Sequence, residues 1–170
     1  MPDNSYEKHF VLVDDYIQYT EEYVSSITDG FIKSRFTGFL SVNAVTVFEL
    51  CIKEIFINFS EKKNNVFGCF VENHFQKLNG RIKISDIKSL ANKFGDKYSL
   101  KFDKLLCEAE RKSLNNREGS IKSSYGNIIE WRHQFAHKGI MPVNATYEEA
   151  KNSYVLGKTV IIVLFKAMKR

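Results

Sequence analysis

Residues 35–62 read RFTGFLSVNAVTVFELCIKEIFINFSEK. Within them Leu40, Ala44, Val47, Phe48, Cys51, Ile52, Ile55, Phe56 and Phe59 recur at helical steps, and so wide a stripe predicts a long helix buried on more than one side. Glu49 and Glu54 interrupt it. A helix of that kind needs other helices around it. Upstream, Phe10, Val13, Ile17, Val24 and Ile27 predict a helix over about 5–27, acidic on its other face, with Gly30 near its stop.

Downstream the pattern shortens. A helix is expected over 66–78, followed by a turn at Asn79-Gly80 and by a helix capped by Ser85 and stopped at Gly95. The next, over 99–112, carries Phe102, Leu105, Leu106 and Ala109 at core spacing, and residues 115–120 form a polar loop. A further helix starts near Ser120 and places Ile121, Tyr125, Ile128, Ile129, Phe135 and Ala136 broadly on one side. Gly139 suits its left-handed cap and Pro142 bars its continuation. The last helix opens on a capping box, Thr146 with Glu149, and runs to about Lys169. Only 2 Pro and 9 Gly argue against an all-β fold. With no repeat or linker in 170 residues, the expectation is one all-α domain over 1–170, an up-and-down bundle with short extra helices in its middle.

The net charge of +5 is unevenly placed. Residues 1–30 hold Asp3, Glu7, Asp14, Asp15, Glu21, Glu22 and Asp29 against Lys8, a balance of −6, which leaves +11 for the remainder. A basic body suits a polyanion, and the first helix would be held off it by its own charge. A lysine-rich composition also yields solvated basic faces without any partner. Cys51, Cys69 and Cys107 are odd in number and widely spaced, two of them on apolar helical faces, which points to reduced core thiols rather than disulfides or a zinc knuckle. No leader-like start and no long apolar run is present, so a cytoplasmic protein without a membrane partner is expected.

Near the end of the penultimate helix stands Arg132-His133-Gln134-Phe135-Ala136-His137. Guanidinium and imidazole are the two groups that metal-free RNA cleavage needs: a permanent charge with a fork for phosphate oxygens, and a proton exchanger near neutral pH. An Arg followed five residues later by a His arises by chance in roughly one chain in seven of this composition, so context decides. Arg132 and His137 lie about 140° apart around the helix, whereas His133 and His137 are one turn apart and stack on one side. The negative helix end favours cations there, which suits His137 as a proton donor and equally suits a merely structural Lys138 and Arg132. Two histidines without a third ligand do not make a zinc site. His9 and His74 stand alone, and Tyr125, upstream of the arginine, is a candidate to line a cleft.

These six residues resemble the R-x4–6-H motif of HEPN domains, with a polar residue directly after the arginine, and the helix order is similar over most of the chain. The nearest subgroup is the RiboL-PSP type. What the resemblance implies is a metal-independent endoribonuclease, without cofactor, of the kind found in toxin–antitoxin and antiphage systems. It further implies a homodimer whose motifs share one cleft, RNA as substrate, and a cognate antitoxin or immunity protein as a second partner. Arg132 would stabilise phosphate charge, His137 would act as acid or base, His133 would assist, and Glu49 is the family-like acid for pairing with Arg132 or orienting a histidine. A non-catalytic HEPN-fold dimer that binds RNA or nucleotides as a regulator or scaffold is the alternative. A DNA-binding regulator has weak support from the helix after Ser85. Phosphate-binding glycine loops and nucleophile elbows have no counterpart in the chain.

Overall fold

The computed structural model describes residues 5–76, 80, 82–141 and 145–169. A 3₁₀ segment, Ser5–Phe10, runs into α1, Val11–Ser26. Then follow α2 (Gly30–Glu61), α3 (Asn65–Gln76), α4 (Ile84–Lys93), α5 (Asp96–Asn115), α6 (Ile121–Lys138) and α7 (Tyr147–Met168). The fold is all-α, with no strand among the described residues.

Gly30 opens α2 instead of stopping α1. The cause is Asp29, whose carboxylate accepts hydrogen bonds from the Phe31 and Ile32 amides at 2.8 and 3.1 Å and so starts the helix ahead of the expected Arg35. Likewise α4 begins before Ser85, because the Asp86 carboxylate accepts the Lys83 amide at 3.0 Å. The Thr146–Glu149 capping box and the left-handed Gly139 (φ 64°, ψ 14°) stand where the sequence puts them. Leu78, Asn79 and Pro142 lie outside the described residues.

The wide stripe of α2 is wide because α1, α3, α6 and α7 all pack on it. At its centre Phe48 stacks on Tyr125 of α6 and Tyr154 of α7, with ring centroids at 5.2 and 5.8 Å. All three rings are fully buried. Gly157 lets α7 approach: a Cβ there would stand 3.0 Å from the Phe48 ring. A second aromatic layer joins Phe56 to Phe75 and Phe94. Helices α1 and α7 run antiparallel, tied by Asp14 to Lys158, Glu21 to Lys151, and Thr20 to the Tyr147 hydroxyl at 2.8 Å. This is the up-and-down arrangement, in which each long helix buries its stripe against its neighbours.

Of the three cysteines, which are all free, only Cys51 is a core thiol. Burial pushes its pKa up to about 12, which keeps it unreactive. Cys69 and Cys107 are exposed. His9 is not alone, because its Nε2 lies 2.6 Å from the Glu54 carboxylate, which also pairs with Lys8 at 3.0 Å. Burial pulls Glu54 upward, but hydrogen bonds from Ser5, Lys8 and His9 outweigh it and hold the carboxyl below its ordinary range. Among the described residues no helix is long and apolar enough to cross a membrane.

Candidate functional site

Helix α6 starts at Ser120, whose Oγ accepts the Ser123 amide at 3.1 Å. Its buried face is Ile121, Tyr125, Ile128 and Trp131. The spacing then carries the stripe past Ala136, which is exposed, and Trp131 takes the place in the core. Because Trp131 faces inward, Arg132 and His133 emerge beside it toward solvent. Arg132 is half-buried, and among the described residues it has no ion pair or hydrogen bond; His133 and His137 are exposed. The two imidazole centroids lie 4.5 Å apart with planes inclined at 55°. Gln134 Nε2 donates to Glu130 at 2.9 Å, which engages the only acid in the second half of the helix.

The pairing of α2 with α6 fixes what faces this motif. Phe48 stacks on Tyr125, Gly38 touches Phe135 and Arg35 reaches Gly139, so the helices run antiparallel and the first turns of α2 meet the motif. Two expected residues therefore do not join it. Tyr125 is fully buried, and its hydroxyl donates to the Ile82 carbonyl at 2.8 Å. Burial raises its pKa well above the usual value, so it is a core tyrosine and lines no open cleft. Glu49, one residue past Phe48, lies at the level of the first turns of α6, roughly 12 Å along the axis from Arg132 at 1.5 Å per residue. Its carboxylate pairs with Lys53 at 2.8 Å and accepts the Gly80 amide at 3.2 Å, and it does not pair with Arg132.

What α2 does bring is Arg35, Gly38 and Phe39. Arg35 Nη1 donates to the Gly139 carbonyl at 2.9 Å, which satisfies an acceptor at the helix end. Its guanidinium lies 4.5 Å from the Phe31 ring centroid and 5.7 Å from that of Phe135. Phe39 meets Phe135 edge-on at 5.6 Å. These contacts join positions about a hundred residues apart. The signal in the sequence is local charge: residues 30–48 contain Lys33 and Arg35 and no acid, and residues 131–141 contain Arg132 and Lys138 and no acid.

Gly38 is where the two helices touch. A Cβ there would lie 2.2 Å from Phe135, inside the ring's contact distance. Gly126, also helical, has open space around it. Gly126→Ala is expected to stabilise by about 0.5–1 kcal/mol through helix propensity. Gly38→Ala gains the same preference but forces the Phe135 ring outward at about 1–3 kcal/mol. Thermal unfolding should place Gly126→Ala above and Gly38→Ala below wild type by a few degrees each. Equal shifts of one sign in both would show that the α2–α6 contact is looser than these distances.

Among the described residues no group of three or more His, Cys, Asp or Glu side chains converges as a metal site would require. What this end of the all-α bundle carries is two neighbouring imidazoles with Arg132 on α6, and Arg35 of α2 bonded to the end of that helix. The sequence matches the RiboL-PSP-HEPN family over residues 7–170, nearly the whole chain, and the chain belongs to that family. No curated protein and no solved structure matches it.

Proposed function

We propose that the protein is a metal-independent endoribonuclease whose active site forms between two copies of the chain. The observation that carries this reading is the paired, exposed imidazoles of His133 and His137 with an uncompensated Arg132 on the same helix. In the reaction the RNA 2′-hydroxyl attacks its own 3′-phosphate. An imidazole removes the hydroxyl proton, Arg132 meets the charge that grows on the non-bridging oxygens, and a protonated imidazole delivers a proton to the departing 5′-oxygen. The products are a 2′,3′-cyclic phosphate and a 5′-hydroxyl. His137 is the acid or base, and His133, one turn away, assists.

One chain offers few groups for these three tasks, and a two-fold contact doubles them. Exposed apolar side chains stand beside the motif, namely Phe31, Phe39 and Ile140, at 65, 55 and 67% of full exposure. A second copy covering them would bring the two motifs together and exclude water from the cleft. In the cell this reading makes the protein the toxic effector of a defence or toxin–antitoxin module, held in check by an antitoxin or immunity protein.

Purified protein should cut RNA in excess chelator and leave cyclic phosphate ends, and light scattering should give a dimer at micromolar concentration. Cleavage that chelator abolishes and a divalent ion restores would sink the metal-free mechanism, and 3′-hydroxyl ends would sink 2′-hydroxyl attack. RNA binding without any cleavage would favour the regulator or scaffold.

A further inference from the structure

Arg35 sits at the motif but belongs to another helix and another part of the sequence. One of its five N–H donors is spent on the Gly139 carbonyl, and the planes of Phe31 and Phe135 restrain the guanidinium. No carboxylate pairs with it among the described residues. Asp29 caps α2, Glu21 and Glu148 bind Lys151, Glu149 closes the capping box with Thr146, and Glu22 is exposed on α1 and does not pair with Arg35. A half-buried arginine that is already ordered and lacks a counter-ion is prepared for an anion from outside, since little side-chain freedom remains to be lost on binding.

Its position says which anion. Gly139 stands two residues beyond His137 and seven beyond Arg132, and those seven residues span about 10 Å along the helix axis. At about 100° per residue Gly139 also falls about 20° around the helix from Arg132, so the two guanidiniums stand on one side of α6, Arg132 at the level of the motif's first residue and Arg35 at the level of Gly139. We propose that Arg35 is a second phosphate-binding residue, which holds the RNA phosphodiester adjacent to the one that Arg132 meets. RNA as the ligand rests on the ribonuclease reading. A guanidinium that only closed the end of α6 would leave RNA affinity untouched, and this separates the two roles.

The test uses the full-length chain carrying His137→Ala, so that RNA is bound and not cut. A short single-stranded RNA is titrated by fluorescence anisotropy over a range of salt, with Arg35 intact, Arg35→Gln and Arg35→Lys. Arg35→Gln is expected to weaken binding about tenfold at low salt, as removal of one charge-assisted hydrogen bond does. The slope of log affinity on log salt should become shallower by about 0.7 for each phosphate that is no longer neutralised. Arg35→Lys should keep the slope, because the charge remains, and give up only part of the affinity. With His137 intact, Arg35→Gln should raise KM far more than it lowers kcat. An unchanged salt slope in Arg35→Gln, with normal thermal unfolding, would overturn the proposal, as would a fall in kcat at constant KM. A chain that binds RNA with an Arg35-dependent slope but cuts none would sink the ribonuclease reading and leave Arg35 as a phosphate-binding residue. No binding at all would sink both.

Discussion

RNA cleavage by the His137→Ala chain is expected to fall by about 10²–10⁴-fold, the range that a positioned general acid or base contributes. Arg132→Ala should cost about 10²–10³-fold, as removal of one donor to a developing oxyanion does. His133→Ala should cost less than either. The structure explains why these effects are separable from unfolding. His137 is exposed and its ring meets His133, and Arg132 spends no hydrogen bond on the described residues. Truncating either removes no buried partner, so stability should stay within about 0.5 kcal/mol of wild type. His9→Ala makes the opposite control. It breaks the pair with Glu54 near the far end of α2, and should lower the melting temperature while leaving cleavage alone. If His137→Ala and Arg132→Ala both melt normally and cut RNA within threefold of wild type, the motif is structural.

How much of this is legible in the sequence follows from which forces are local. The α2 stripe and the Thr146 and Gly139 caps are set by spacing within a turn or two, and they read correctly. The start of α2 does not, because Gly30 carries both a stop and a start meaning and the Asp29 side chain decides between them. Trp131 does not stand out as a core residue because the α6 stripe turns gradually, and which of Trp131 and Ala136 is buried depends on how α6 sits against its neighbours. The candidate site divides the same way. Arg132, His133 and His137 share one helix and can be read together. The pairing of α2 with α6 puts Tyr125 into the core and Glu49 at the wrong level for Arg132, and Glu49 is left with Lys53, one turn on along its own helix. The same pairing supplies Arg35, whose bond to Gly139 spans 104 positions and leaves no periodic trace.

Mixed dimers of Arg132→Ala and His137→Ala chains should regain cleavage that neither parent dimer has. In a cleft shared by two copies, the hybrid keeps one Arg132 from one chain and one His137 from the other. Where these two face each other across the two-fold axis, proton transfer and charge stabilisation again meet at one phosphate. Each parent dimer lacks one function entirely, so its rate stays at the background of the surviving function. Random pairing makes half of the dimers hybrids, so recovery should exceed either parent by at least about tenfold if the single lesions cost the factors expected above. Co-expression of two differently tagged chains, with purification on both tags, isolates the hybrid and removes the statistical dilution. The geometry favours this outcome because Arg132 and His137 lie about 140° apart around α6. A single helix therefore does not present both to one phosphate as readily as two facing helices do. A pure hybrid no more active than the better parent, from chains that dimerise normally, would place each complete site within one protomer and end the composite reading.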